Sequence, residues 1–148
     1  MQEPTVDHLP EPVMSIADIE RFLKEEFPQV HQDGPVFSVE HVAKGRIVYR
    51  MTPLDRHLRP GGTVAGPSMF ALADVAAYIC ILAHIGPRKH TVTTNMNINF
   101  MRKPEPGPLD CHARLLKLGK RLAVVDSLTL DRHGQIVSQA TATYSIPA

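Results

Sequence analysis

Absences bound the function of this chain before any motif is read. Its 148 residues carry 16 lysines and arginines against 15 aspartates and glutamates, a formal net charge of +1. Without a basic surplus the chain does not read as a general nucleic-acid binder, although the balance leaves room for a local basic patch. Cysteine is scarce: Cys80 and Cys111 each sit in apolar surroundings, which points to two reduced, buried thiols and not to a disulfide framework. No basic stretch leads into an apolar run near the N-terminus, so no signal peptide is expected. The apolar segment from Met69 to Ile85 falls short of the roughly 20 residues a membrane span needs, and it carries Asp74 and His84. It reads as the core helix of a soluble, cytoplasmic protein that partners neither membrane nor nucleic acid.

Familiar catalytic signatures are missing as well. Gly66-Pro67-Ser68-Met69-Phe70 lacks the second glycine of a nucleophile elbow. Cys111 and His112 are neighbours on a predicted strand, so their side chains point to opposite faces. None of the eight histidines forms a metal-ligand pair, and no metal site is expected. His57 and His84 read as loop and helix-end residues. No phosphate loop or dinucleotide fingerprint occurs.

What is present is a helix with unusual content. Pro60-Gly61-Gly62-Thr63-Val64-Ala65-Gly66-Pro67 leads into an apolar segment that Gly86-Pro87 stops. Proline near the first helical position and glycine past the end predict a helix over about 67–85. It is apolar on all sides, as a helix surrounded by protein is. Asp74, two turns in, is costly there without a partner or a task. A helix start offers unpaired N–H groups and a positive dipole end, which can hold an acyl oxygen as it gains charge. A carboxylate nearby can attack that carbonyl or deprotonate a water that does. On the residues alone, a structural role for Asp74 is slightly favoured: an ion pair at a subunit contact, or a hydrogen bond from Tyr78.

Around this helix the chain alternates in recognisable ways. Residues 1–13 carry three prolines and few apolar anchors, which reads as a mobile tail before a domain over 14–148. Ser15 caps a short amphipathic helix with Asp18 three residues on. Strands are predicted over 36–42 and 46–51. After the long helix, Val92, Thr94, Met96, Ile98 and Phe100 form a packed face, and Thr93, Asn95, Asn97 and Asn99 a polar one. Three more strands follow, over 109–118, 122–130 and 135–146. The expected architecture is α+β: the last four strands form a meander, and a curved antiparallel sheet wraps the long helix. One sheet cannot cover such a helix fully, so a partner subunit is expected.

Ala65-Gly66-Pro67-Ser68-Met69-Phe70-Ala71-Leu72-Ala73-Asp74 resembles the His-Gly-Gly-x-x-x-x-Leu-x-Asp motif of the hotdog-fold acyl-CoA thioesterases of the phenylacetic-acid-degradation type. Thr93 to Phe100 with Arg102-Lys103-Pro104, Gly119 to Val124, and Ala140 to Tyr144 resemble that family's later strands. The resemblance spans roughly 36–145. It implies a hotdog fold, dimers that pair into tetramers, and an acyl-CoA substrate whose CoA leaves no separate cofactor to bind. It also implies roles: the Gly66 amide polarises the thioester carbonyl, and Asp74 of the other subunit acts as base or nucleophile. Thr93 matches a position near the attacking water.

The motif is altered at three places. Ala65 replaces its histidine. Pro67 replaces its second glycine and has no N–H, leaving Gly66 and Ser68 as amide donors. The segment 55–64 has no asparagine and offers His57 and Arg59 instead. Basic residues at element ends, Arg88, Lys89, Arg102, Lys103, Lys120 and Arg121, are candidates for the CoA phosphates. Two alternatives share the pattern. One is a non-catalytic acyl-CoA-binding module, consistent with Ala65 and Pro67. The other, ranked lower, is an acyl-thioester hydratase or dehydratase: His57-Leu-Arg-Pro-Gly resembles a dehydratase loop, but Phe70 and Ala71 stand where a helix glutamate is needed.

Overall fold

The computed structural model describes residues 5–32 and 34–148. In chain order the elements are α1 (Ile16–Glu26), β1 (Phe37–Ala43), β2 (Arg46–Met51), α2 (Gly66–Ile85), β3 (Val92–Phe100), β4 (Leu109–Leu118), β5 (Leu122–Leu130) and β6 (Ile136–Ser145). Short 3₁₀ turns occupy Pro28–His31 and Asp55–His57. Helix α1 begins as its residues dictate. The Ser15 hydroxyl accepts from the Asp18 N–H at 3.1 Å, and the Asp18 carboxylate accepts from the Ser15 N–H at 2.9 Å. Ile19, Phe22 and Leu23 turn inward.

The six strands form one antiparallel sheet in the order β1-β2-β4-β5-β6-β3. Alternate residues of the central strands are buried: Ile47, Tyr49 and Met51, then Leu109, Cys111, Ala113 and Leu115. They pack against α2, where Leu72, Ala76, Cys80, Ile81 and Ala83 are fully inaccessible. By length and composition α2 is apolar enough to cross a membrane, but here a sheet wraps it. This is the hotdog arrangement, with α1 as the short N-terminal helix. Both cysteines are free and buried, and burial holds their thiols above the ordinary range, Cys111 at about 11.

Three expectations need correction. The last four strands are not one meander. β3 lies at the far edge, antiparallel to β6, while β4 pairs with β2 and β5. The proline-rich segment 104–108 therefore carries the chain from the edge strand to the interior of the sheet. The two faces of β3 also differ from strict alternation. A bulge between Thr93 and Asn95 inserts Thr94, so Thr93 stands opposite Tyr144, while Met96 and Ile98 stand opposite Ala142 and Ala140. Thr93, not Thr94, therefore shares the helix-facing side with Met96 and Ile98.

The third concerns the chain before α1, of which residues 1–4 lie outside the described part. Its apolar side chains, Val6 and Leu9, pack on the fold while the polar ones between them stay exposed. Leu9 is buried, Val6 and Leu9 lie against Gly45, and the Val13 N–H donates to the Ala83 carbonyl at 2.7 Å. These few apolar side chains find a ready groove beside the β1–β2 turn. The packed unit thus extends upstream of residue 14.

Candidate active site

Helix α2 begins at Gly66, with Ala65 as the residue before its first turn. Pro67 has no N–H to give. The Ser68 N–H donates to the Ala65 carbonyl at 3.1 Å, as does that of Met69 at 3.2 Å. The backbone donor expected of Ser68 is therefore engaged, and Gly66, first in the helix, supplies the amide with no intrahelical acceptor. The Phe100 ring lies over this residue: a side chain added at Gly66 would meet it at 3.4 Å. Upstream, the His57 ring accepts the Leu54 N–H through Nδ1 at 2.9 Å, and its carbonyl accepts the Ala65 N–H at 2.8 Å. His57 thus shapes the loop that delivers Gly66. Arg59, at the tip, is exposed.

Asp74 stands eight residues beyond Gly66, which at 1.5 Å per residue is about 12 Å along the axis. It is half-buried. The Thr93 hydroxyl donates to its Oδ1 at 2.7 Å. The Tyr144 hydroxyl lies 2.5 Å from the same Oδ1 and 2.7 Å from the Asp74 backbone oxygen. The partner considered from sequence, Tyr78, instead donates to the Lys89 carbonyl at 3.0 Å. Burial, and then the Asp74 charge, hold the Tyr144 phenol well above its ordinary range, so it remains a donor. Burial and the charge of Glu26 push Tyr78 up to about 12.

Asp74 lines a groove of about 640 Å³ whose other walls include Phe27, Val75, Tyr78, Val92 and Thr93. Its floor is aromatic: Tyr78 packs edge-on against Phe27 with centroids 5.9 Å apart, and at 6.3 Å from both Phe22 and Tyr144. Across the mouth, Lys89 pairs with Glu26 at 3.1 Å. On the open side of α2, Pro67, Phe70 and Ala71 are exposed, and with Asp74 they follow helical spacing along one stripe. The uncovered face of the helix therefore runs from the head to the carboxylate.

The basic candidates separate into two groups. Val92, Ser145 and Leu122 align across β3, β6 and β5, which puts Arg88, Lys89, Lys120 and Arg121 at the end of the sheet near Thr93 and Asp74. Arg88 is committed to the Pro147 carbonyl and Lys89 to Glu26, while the side chains of Lys120 and Arg121 are exposed. Arg102 and Lys103 lie about 26 Å away along β3. There the Val64 N–H donates to the Pro104 carbonyl at 2.9 Å, which ties their segment to the helix head. With Arg132, His133, Glu105 and Asp131 they line a separate groove of about 500 Å³. Among the described residues no cluster of histidine, cysteine and carboxylate groups is arranged to hold a metal.

Sequence reasoning missed Tyr144 and Phe100 as site residues. Tyr144 had a signal: it continues the small, inward alternation of Ala140 and Ala142, and a hydroxyl buried there needs an acceptor.

Comparison with known proteins bears on the fold and the family. The family model described as the thioesterase superfamily matches residues 61–137, just over half of the chain. A crystal structure of a protein provisionally named a thioesterase, from Silicibacter sp. TM1040, is 48% identical with a TM-score of 0.85, covering 95% of this chain and 97% of that one. A phenylacetic acid degradation-related protein from Ralstonia eutropha is 26% identical with a TM-score of 0.75, covering 86% and 98%. A protein provisionally named an esterase, from Thermoplasma acidophilum, is 27% identical over 74% of this chain and 83% of its own. By its fold, its matched residues and its relatives, this chain belongs to the thioesterase superfamily.

Proposed function

We propose that the protein hydrolyses acyl-CoA thioesters at sites shared by two copies of the chain. One observation carries this reading. The polarising amide of Gly66 and the Asp74 carboxylate lie on one rigid helix about 12 Å apart, too far for both to reach the same carbonyl. The open stripe of α2 and the unpaired edge of β3, with Val92, Phe100 and Met101 more than half exposed, supply a face for a second copy. A two-fold contact there sets Asp74 of one copy against Gly66 of the other.

In this arrangement the thioester carbonyl oxygen accepts the Gly66 N–H at the positive end of α2. Asp74 removes a proton from water as the oxygen attacks the carbonyl carbon, or attacks it directly to form an anhydride that water then opens. Collapse of the tetrahedral intermediate breaks the C–S bond, and the departing thiolate takes up the proton to give free acid and thiol. The acyl group occupies the groove floored by Phe27, Tyr78 and Val75. Arg102 and Lys103, tied to the helix head, and the exposed Lys120 and Arg121 are the side chains available to the CoA phosphates.

The test is thiol release across a panel of acyl-CoAs of graded chain length, including aromatic acyl groups. The proposal expects release by the wild-type protein and its loss in Asp74→Asn, with the oligomer intact. Tight acyl-CoA binding with no release by the wild type would favour the non-catalytic module.

A further inference from the structure

We propose that Tyr144 is a positioning residue for Asp74: together with Thr93 it occupies Oδ1 and leaves Oδ2 as the oxygen that meets water or the thioester. The inference rests on the hydrolytic reading above. Three observations carry it.

Both hydroxyls converge on the same carboxylate oxygen, at 2.7 Å from Thr93 and 2.5 Å from Tyr144. Among the described residues no hydrogen bond reaches Oδ2. Tyr144 is only 2% exposed, and its place is fixed by register opposite Ala123 and Thr93 and by packing beside Tyr78. Its hydroxyl also lies 2.7 Å from the Asp74 backbone oxygen, so one phenol spans the main chain and side chain of the same residue and restrains rotation of the carboxylate.

Chemistry assigns the donor direction. A phenol proton shared between a neutral carbonyl and a carboxylate favours the charged acceptor, and such bonds are short. Because the phenol is buried beside a negative charge it does not ionise in the working range, so it can neither act as the base nor lose its proton to Asp74. Two donors on one oxygen hold the carboxylate in one orientation and satisfy that oxygen within its half-buried site. The other titratable groups around the groove are Glu26 at the end of α1, Tyr78 on α2, and Lys89 and His90 between α2 and β3. None of these has a recorded hydrogen bond to the Asp74 carboxylate.

The experiment follows the Asp74 carboxyl carbon by NMR at a fixed, neutral pH in protein labelled at aspartate, the signal being assigned by its absence in Asp74→Asn. In Tyr144→Phe the ring stays and the hydroxyl goes; the Asp74 carboxyl resonance is expected to shift as that hydrogen bond is lost. In parallel, hexanoyl-CoA and phenylacetyl-CoA are assayed by thiol release. The expected result is a fall in kcat of about tenfold with little change in KM. If Tyr144→Phe folds poorly, 3-fluorotyrosine at position 144 preserves the shape with a stronger donor, and the resonance is expected to shift in the opposite direction. An Asp74 resonance unmoved by either change overturns the inference. Failure of the hydrolytic reading looks different: the resonance still shifts, but neither CoA ester is cleaved.

Discussion

Asp74 is tolerated in an apolar helix because two hydroxyls meet it, one from each of the two strands at the sheet edge. The cost of removing a carboxylate from water is offset locally, and no cationic partner is recorded on it among the described residues. Replacing it with asparagine keeps the size and removes the charge, so turnover is expected to fall by about 10²–10⁴ while the melting temperature holds or rises. A variant that retains most of its thiol release would show that the carboxylate is structural. Much of this was legible from sequence: an acidic residue inside an all-apolar helix stands out by its cost alone. Its true partners were less so. Tyr78 is one helical turn away and Tyr144 is 70 residues away, so spacing favoured the wrong phenol. Ser68 shows a similar limit, because only the backbone geometry of the first turn reveals that its amide is engaged with Ala65.

At the scale of elements, α2 is held at both ends by different means. Its first half rests on packing. Leu72 is fully buried, and Leu72→Ala is expected to cost about 2–5 kcal/mol in urea unfolding. Its last turn is held by a buried imidazole. His84 Nε2 accepts the Gly45 N–H at 2.8 Å, and Nδ1 donates to the Cys80 carbonyl at 2.7 Å. Burial lowers the His84 pKa below its ordinary value, so the folded protein holds it neutral. Within the window between the lowered value and about 6.5, the unfolded chain binds the proton that the folded chain refuses. Stability from this group is therefore full above that window and lost as pH falls through it. Thermal melts from pH 7.5 to 5.5 are expected to show a steeper loss for wild type than for His84→Gln; equal slopes would dismiss the latch. The strands themselves were readable from period-two patterning, yet the placement of β3 was not. Edge position and the Thr94 bulge depend on pairing with β6, and no local pattern encodes which strand will be the neighbour.

At the scale of the molecule, the proposed shared site is half complete in one chain. The edge of β3 presents Asn95, Asn97 and Asn99 as an exposed polar row, and a second copy added along that edge would extend the sheet and cover the stripe from Gly66 to Asp74. Lysines at positions 95 and 97 would face like charges across a two-fold axis. The double variant Asn95→Lys/Asn97→Lys is expected to elute as a smaller species in gel filtration and to lose thiol release together with assembly. The most direct measurement is complementation. Gly66→Pro removes the polarising N–H at a helix position where proline is common, and Asp74→Asn removes the carboxylate; each variant alone should be inactive. Unfolded and refolded together, half of the dimers pair unlike chains, and one of their two sites regains both groups. The shared-site account predicts that the mixture recovers about a quarter of wild-type thiol release. A mixture as inactive as its two components, with mixed dimers shown to have formed, would contradict it.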